Sequence, residues 1–299
     1  EAYKPTALQE IKQLQAFAEK KEGHPVELMP WDYSYYSTLQ KNELYDLNDE
    51  MLKPYFELEQ VKKGVFGLAT RLYGLTFKKN TEIPVYHPEV ETFEVFDEDG
   101  SYLGVLYTDF YPRSTKQGGA WMTSFKDQWI TREGKNSRPH ISLVMNFTRP
   151  TESSPALLTY NEVETFLHEF GHALHGLMAN SRYESLSGTN VYRDFVELPS
   201  QLMENWLPEQ EILETFAHHH LTGEVLPDSL IQKIRNTQRY HVGYHCVRQL
   251  TFGMLDMAWH TQTGKIEDIT AFEQNAPSPT QLLPVIDGTL ISSQFSHVF

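Results

Sequence analysis

The sequence predicts a mainly α-helical fold that contains one small β-sheet. Residues 5–20 carry apolar side chains three positions apart, the spacing of an amphipathic helix. Between about 83 and 147 the pattern changes to short segments rich in β-branched and aromatic residues, which predict strands. From about 160 the pattern is helical again, so helices should form most of the fold.

The predicted sheet region contains segments of strand composition separated by turn residues. The turn "DEDGS" at residues 97–101 predicts a hairpin. The predicted strands are "IPVYH", "TFEVF", "YLGVLYTDFY" and "HISLVMNF".

The helical regions follow the sheet region. Asn161 and Glu164 have the spacing of a capping box, which predicts a helix from there to about residue 179. Further helices are predicted at about 192–206, 209–220 and 228–260. We find no repeat and no long linker, so residues 1–299 are interpreted as a single portion that is not divided into independent domains. It contains a sheet region (about 83–147), a pair of helices (160–206) and a helical remainder (207–299).

Composition excludes several classes of partner. The formal net charge of -15 argues against binding to nucleic acids or anionic membranes, whose phosphates require a cationic surface. No apolar run reaches the roughly 18 to 20 residues that span a bilayer. The lone Cys246 cannot form an intrachain disulfide and is interpreted as a core thiol. Small or peptidic partners remain as the favoured class.

The segment "TFLHEFGHALHG" at residues 165–176 carries the chemistry. On a helix, side chains four residues apart share one face, so His168 and His172 can aim two imidazole nitrogens at one metal ion. Glu169 lies beside them, in the position of a general base. His175 lies roughly 10.5 Å along the axis from His168, too far to bind the same ion, and is interpreted as a packing or supporting residue.

A catalytic metal needs a third protein ligand. Asp194, Glu197 and Glu204 follow at helical spacing and lie on roughly one face of a second predicted helix. Spacing leaves Asp194 and Glu197 as rivals, whereas Glu204 could equally belong to an exposed acidic face.

The segment "HEFGHALHGLMANSRYESLSGTNVYRDFVELPSQLMENW" at residues 168–206 resembles the thimet oligopeptidase family of zinc metallopeptidases, in particular its peptidyl-dipeptidases. "DFYPRSTKQGGAW" and "LVMNFT" are similar to family segments in the same order. The resemblance implies a zincin-like core in a helical, channel-forming peptidase. It also implies that "HISLVMNF" is an edge strand that pairs with an extended substrate.

The resemblance also implies roles for individual residues. One zinc ion would be bound by His168, His172 and Glu197, with Glu169 as the general base. Asp194 would support the ligands, and His297 would bind substrate. In this family a loop rich in glycine and tyrosine follows an F-x-H segment, whereas this chain ends two residues after that segment. We therefore expect the chain to be a catalytic portion of a longer peptidase.

The expected activity is the hydrolysis of short peptides, with release of dipeptides from the free C-terminus. Such specificity needs a cation for the terminal carboxylate, and the candidates are Arg113, Lys116, Arg182 and Arg193. The alternatives are cleavage of internal bonds in short peptides and a zinc-stabilised portion that binds peptides without cleaving them. A monomer in the cytoplasm is expected, with the periplasm as the other compartment left open.

Overall fold

The computed structural model of the chain describes residues 2–295 and Val298. In chain order the helices are α1 (Lys4–Glu22), α2 (Tyr33–Tyr45), α3 (Asp49–Leu52), α4 (Leu58–Tyr73), α5 (Tyr160–Leu177), α6 (Arg193–Val196), α7 (Leu198–Glu204), α8 (Gln210–Phe216), α9 (Asp228–Thr237), α10 (Val242–His260) and α11 (Ile269–Asn275). The strands are β1 (Thr76–Lys79), β2 (Glu91–Phe96), β3 (Tyr102–Asp109), β4 (Trp121–Lys126), β5 (Trp129–Ile130), β6 (Asn136–Ser137) and β7 (His140–Val144). The prediction of a mainly α-helical fold with a small sheet is confirmed.

The chain divides into two compact units. The first contains the residues up to Leu47 and those from Lys233 onward, and the second is Asn48–Gln232. In the first unit, the carboxylate of Glu10 on α1 accepts hydrogen bonds from the backbone amides of Gly243 and Tyr244 at the start of α10. These two amides have no partner within their own helix, so Glu10 supplies the cap that α10 lacks.

The second unit is built on a five-stranded sheet of order β1-β2-β3-β7-β4. Strands β3 and β7 are parallel, and the other neighbouring pairs are antiparallel. Helix α5 packs against this sheet through Phe166 and Phe170, both fully buried. The ring of Phe166 lies 5.2 Å from that of Phe110, and the ring of Phe170 lies 5.8 Å from that of Phe77. The sheet therefore supports the helix that carries the histidine motif.

Two predictions about the sheet are wrong. Residues 83–87 form no strand, because Pro84 and Pro88 remove backbone donors from this segment, and Thr76–Lys79 forms the outer strand instead. The segment around His140–Val144 is an interior strand, since β7 pairs with β3 on one side and β4 on the other. The sheet edge next to β7 is therefore β4.

The start of α5 also differs from the prediction. Its N-cap is Thr159, whose hydroxyl accepts from the Glu162 amide while the Glu162 carboxylate accepts from the Thr159 amide. Leu158 donates a backbone hydrogen bond to Phe56, which keeps the chain extended up to the cap. The capping box is thus two residues earlier than the one predicted at Asn161.

Two predicted helices are each divided. The helix predicted at 192–206 is divided at Glu197, and Pro199 lies in the first turn of the second part. Proline has no backbone N–H to donate, and its ring clashes with the carbonyl four residues earlier, so Pro199 favours the start of a new helix. The helix predicted at 228–260 is divided after Thr237, and His241 adopts a left-handed conformation with φ 52°.

Candidate metal centre and active site

Helix α5 presents the histidine motif on one face. His168 and His172 have ring centroids 5.0 Å apart and are both partly buried. The four-residue spacing places one imidazole above the other along the helix. Two nitrogen donors thus face the same space.

Glu197, at the junction of α6 and α7, provides the third donor. Its Oε2 lies 3.2 Å from Nε2 of His168 and 3.1 Å from Nε2 of His172. A tetrahedral zinc site with ligand bonds near 2.0–2.1 Å has edges of about 3.3 Å. One ligand atom from each of these residues lies within 4.8 Å of the others. The donor set therefore fits a zinc ion in both chemistry and spacing.

Glu204, at the end of α7, contacts Nδ1 of His168, the ring nitrogen that does not face Glu197. Its Oε1 lies 2.5 Å from Nδ1 of His168, and this hydrogen bond raises the pKa of His168. An ionised carboxylate only accepts, so in the neutral imidazole the proton lies on Nδ1 and the lone pair of Nε2 is left for a metal. The sequence analysis left Glu204 as a candidate for an exposed acidic face. The signal that could have singled it out is its seven-residue distance from Glu197, two helical turns along the same face.

The carboxyl group of Glu169 is buried beside this donor set, with 7% of the residue exposed. Burial raises its pKa to about 6, assisted by the charge of Glu197, whereas His168 and the Met122 amide lower it. It lines a cavity of about 280 Å³ whose walls are Ala120, Glu164, Thr165, His168, Glu169 and Glu204. Glu169 thus combines access to a cavity with a pKa close to neutral pH, as a general base requires.

Asp194 and His175 lie outside the donor set. Asp194 is exposed, and its side chain makes no hydrogen bond or ion pair with any residue that the structure describes. The place beside the histidines predicted for Asp194 is taken by Glu204, because α6 is a single turn that leaves Asp194 on the surface. His175 lines a second cavity with Leu174 and Met178, and burial lowers its pKa. His297 lies outside the described residues.

The four candidate cations fall into two pairs. Arg113 and Lys116 both bind the buried carboxylate of Asp109, at 2.8 and 2.9 Å. Arg182 and Arg193 form no ion pair with a carboxylate in the described part of the chain, and Arg182 lies over the ring of Tyr183. The first pair therefore has a structural partner that the sequence did not reveal.

A family model described as Peptidase family M3 matches residues 1–299. The chain belongs to peptidase family M3. This confirms the resemblance read from residues 168–206, and with it the assignment to the metallopeptidases.

The chain resembles several curated members. It is 40% identical to "Dipeptidyl carboxypeptidase" of Escherichia coli over 302 residues, 100% of this chain and 44% of the relative. It is 40% identical to "Oligopeptidase A" of Salmonella typhimurium over 299 residues, 99% of this chain and 44% of the relative. It is 32% identical to "Mitochondrial intermediate peptidase, mitochondrial" of Arabidopsis thaliana, covering 99% of this chain and 42% of the relative. The chain thus spans less than half the length of these relatives.

Proposed function

We propose that the chain is the catalytic portion of a zinc peptidase that hydrolyses short peptides. The observation that carries the proposal is the convergence of His168, His172 and Glu197 beside the buried carboxyl group of Glu169. Zinc is the proposed metal because two imidazoles and a carboxylate, with one position left open, form a typical donor set of zinc hydrolases. Bound zinc supplies Lewis acidity, which acidifies water and polarises a carbonyl.

The residues of the chain handle the proton. With a pKa of about 6, Glu169 is ionised at neutral pH and can accept a proton from the attacking water. It then donates this proton to the leaving amine nitrogen when the peptide bond breaks. Glu204 keeps the proton of His168 on Nδ1, so that Nε2 stays available to the metal.

The substrate backbone is proposed to add to the edge strand β4. Ala120, directly before this strand, lines the same cavity as His168 and Glu169. An edge strand offers unpaired backbone donors and acceptors to an extended peptide. Strand β4 thereby takes the role that the sequence analysis expected of "HISLVMNF".

The general-base proposal is tested with Glu169→Gln. This variant should bind one zinc ion per chain as the unaltered protein does, and lose at least about 100-fold in kcat, because the amide cannot accept the proton. Glu211→Gln, at an exposed position on α8, is the matched control and should keep full turnover. A Glu169→Gln variant that remains active would remove Glu169 from the mechanism.

The ligand set has its own test. Glu197→Ala should lower the zinc content at equal protein concentration far more than Asp194→Ala, since Glu197 alone of the two faces both histidines. Metal analysis of the purified variants measures this difference. The reverse order would transfer the third ligand to Asp194.

For specificity we propose release of C-terminal dipeptides, as the name of the Escherichia coli relative states for that protein. Cleavage of internal bonds is the second candidate, favoured by the equal identity to "Oligopeptidase A". N-blocked peptides with a free or an amidated C-terminus distinguish them by mass spectrometry. If the peptide with a free C-terminus loses successive dipeptides and the amidated peptide does not, release of C-terminal dipeptides is supported. Equal cleavage of both peptides supports cleavage of internal bonds.

The remaining proposals concern binding and location. Peptide binding without hydrolysis by the unaltered protein would favour the third candidate, a zinc-stabilised peptide-binding portion. No helix in the described residues is both long and apolar enough to cross a bilayer. We retain the monomer and the cytoplasm as proposals, to be tested by light scattering and cell fractionation.

A further inference from the structure

Ser200, in the first turn of α7, lies directly behind the third donor. It is fully buried, and its hydroxyl group lies 3.0 Å from the backbone oxygen of Glu197 and 2.8 Å from its Oε2. Oε2 is the same atom that faces both histidine Nε2 atoms. A buried hydroxyl group and the donor set therefore share one carboxylate oxygen.

The carboxylate of Glu197 needs such an anchor because its side chain is half exposed. Ordering a glutamate side chain costs rotamer entropy, which a fixed hydrogen-bond donor offsets. Among the described residues, its carboxylate contacts the two histidine rings and the Ser200 hydroxyl. A ring nitrogen that binds a metal cannot also donate to Glu197, so the hydroxyl remains as the donor that can hold the carboxylate.

The position of Ser200 is determined by close contact between two helices. A Cβ atom added to Gly171 of α5 would lie 2.5 Å from the Ser200 Cα, so the two backbones touch at this point. Gly171 lies between His168 and His172 in the sequence. The hydroxyl that holds Glu197 is thus placed relative to the helix that carries the other two ligands.

We propose that Ser200 is a positioning residue, whose hydroxyl holds Glu197 Oε2 in front of His168 and His172 before the metal binds. The proposal rests on the metal centre proposed above. It predicts that Ser200 contributes to metal affinity through Glu197, and contributes little to the stability of the metal-free fold. Outer hydrogen bonds of this kind typically change metal affinity by about 10- to 100-fold.

The first test compares Ser200→Ala with the unaltered protein. Affinity for Zn²⁺ is measured by competition with a chromogenic chelator, and the variant should bind about 10- to 100-fold more weakly. Thermal unfolding of the metal-free proteins should give nearly unchanged midpoints.

The second test asks whether Ser200 acts through Glu197. Ser200→Ala should have no further effect on zinc affinity in a Glu197→Ala background, because the carboxylate that it positions is gone. Thr215→Ala is the control, since the Thr215 hydroxyl donates to the backbone carbonyl three residues earlier, 2.7 Å away on α8, and to no carboxylate among the described residues. This control should leave zinc affinity unchanged.

The outcomes separate this proposal from the metal centre itself. If Glu197→Ala loses zinc affinity while Ser200→Ala keeps it, the role of Ser200 is refuted and the metal centre stands. Equal losses from Ser200→Ala with and without Glu197 would also refute it, because the effect would then be general. If the unaltered protein binds no Zn²⁺, the proposed metal centre is refuted and the role of Ser200 with it.

Discussion

Substitution of Gly171 by alanine should separate α5 from α7. The added Cβ would lie 2.5 Å from Ser200 Cα, 2.6 Å from Pro199 O and 2.9 Å from Pro199 C. All three atoms belong to the backbone, so no side-chain rotation relieves the overlap. Ordinary contact begins near 3.4 Å, and the helices must therefore part by roughly 0.8 Å or more, since close-packed interiors do not absorb such overlap locally.

This separation exceeds the tolerance of a metal site. Ligand distances in a working site hold to within about 0.2 Å. Glu197 directly precedes α7 as its N-cap residue, so it moves with that helix, while His168 and His172 stay on α5. We expect zinc affinity to fall by about 100-fold or more, and the free energy of unfolding to fall by about 1–3 kcal/mol from overpacking.

Gly67→Ala is the matched control. Gly67 is inside α4, and a Cβ there meets no atom within 4 Å. Alanine favours a helix interior over glycine, so this variant should gain roughly 0.5–1 kcal/mol and keep its zinc affinity. Chelator competition and urea unfolding measure the two quantities. A Gly171→Ala variant with unchanged zinc affinity would refute the argument that the contact between α5 and α7 positions Glu197.

Three further predictions follow from individual contacts. Glu204→Ala should weaken zinc binding by about 10- to 100-fold in chelator competition, because His168 loses its Nδ1 partner; unchanged affinity would contradict this role. Arg138→Ala should lower the free energy of unfolding by about 1–3 kcal/mol, since the guanidinium donates to two backbone oxygens at the C-terminal end of α5. Urea titrations measure this loss, and Arg132→Ala, at an exposed position, should have no effect. Burial lowers the pKa of His241 from 6.5 to about 4, so the unfolded chain takes up a proton first as the pH falls. The free energy of unfolding should therefore be unaffected by His241 above pH 6.5 and decrease by up to about 3 kcal/mol towards pH 4. His241→Asn should flatten this part of the stability profile, since asparagine tolerates φ 52°. An unchanged profile would assign the pH dependence to other groups.

Part of the candidate site can be derived from the sequence because it depends on local geometry. The four-residue spacing of His168 and His172 places both rings on one helical face wherever that helix packs. Glu169 directly follows His168 in the sequence, so the same helix keeps their side chains close together. The change of hydrophobic period likewise depends on neighbouring residues, which explains why the mainly α-helical class with a small sheet was predicted correctly.

The order of the strands could not be derived in this way. Strand β7 has the composition of either an edge or an interior strand, and only its hydrogen bonds to β3 and β4 place it inside the sheet. The division of the predicted helix after Thr237 could not be derived from the local sequence either. The apolar period continues through it, whereas in the structure Tyr240 donates to Ser37 and Gln40 within the same unit.

The sequence by itself indicated the pair of histidines, the neighbouring Glu169 that is proposed as the base, and the family, because each is a property of residues close together in the chain. Spacing alone left Asp194 and Glu197 as rivals for the third ligand, and the family resemblance favoured Glu197. The distances of Glu197 to both histidines, and the contact of Glu204 with His168, came only from the tertiary structure. Pro199 lies in the first turn of α7, and the bare backbone at Gly171 lets α7 approach α5. In this arrangement Glu197 faces both histidines and Glu204 faces His168. A carboxylate becomes a ligand through its distance from the other donors, and that distance is set by the packing of two helices.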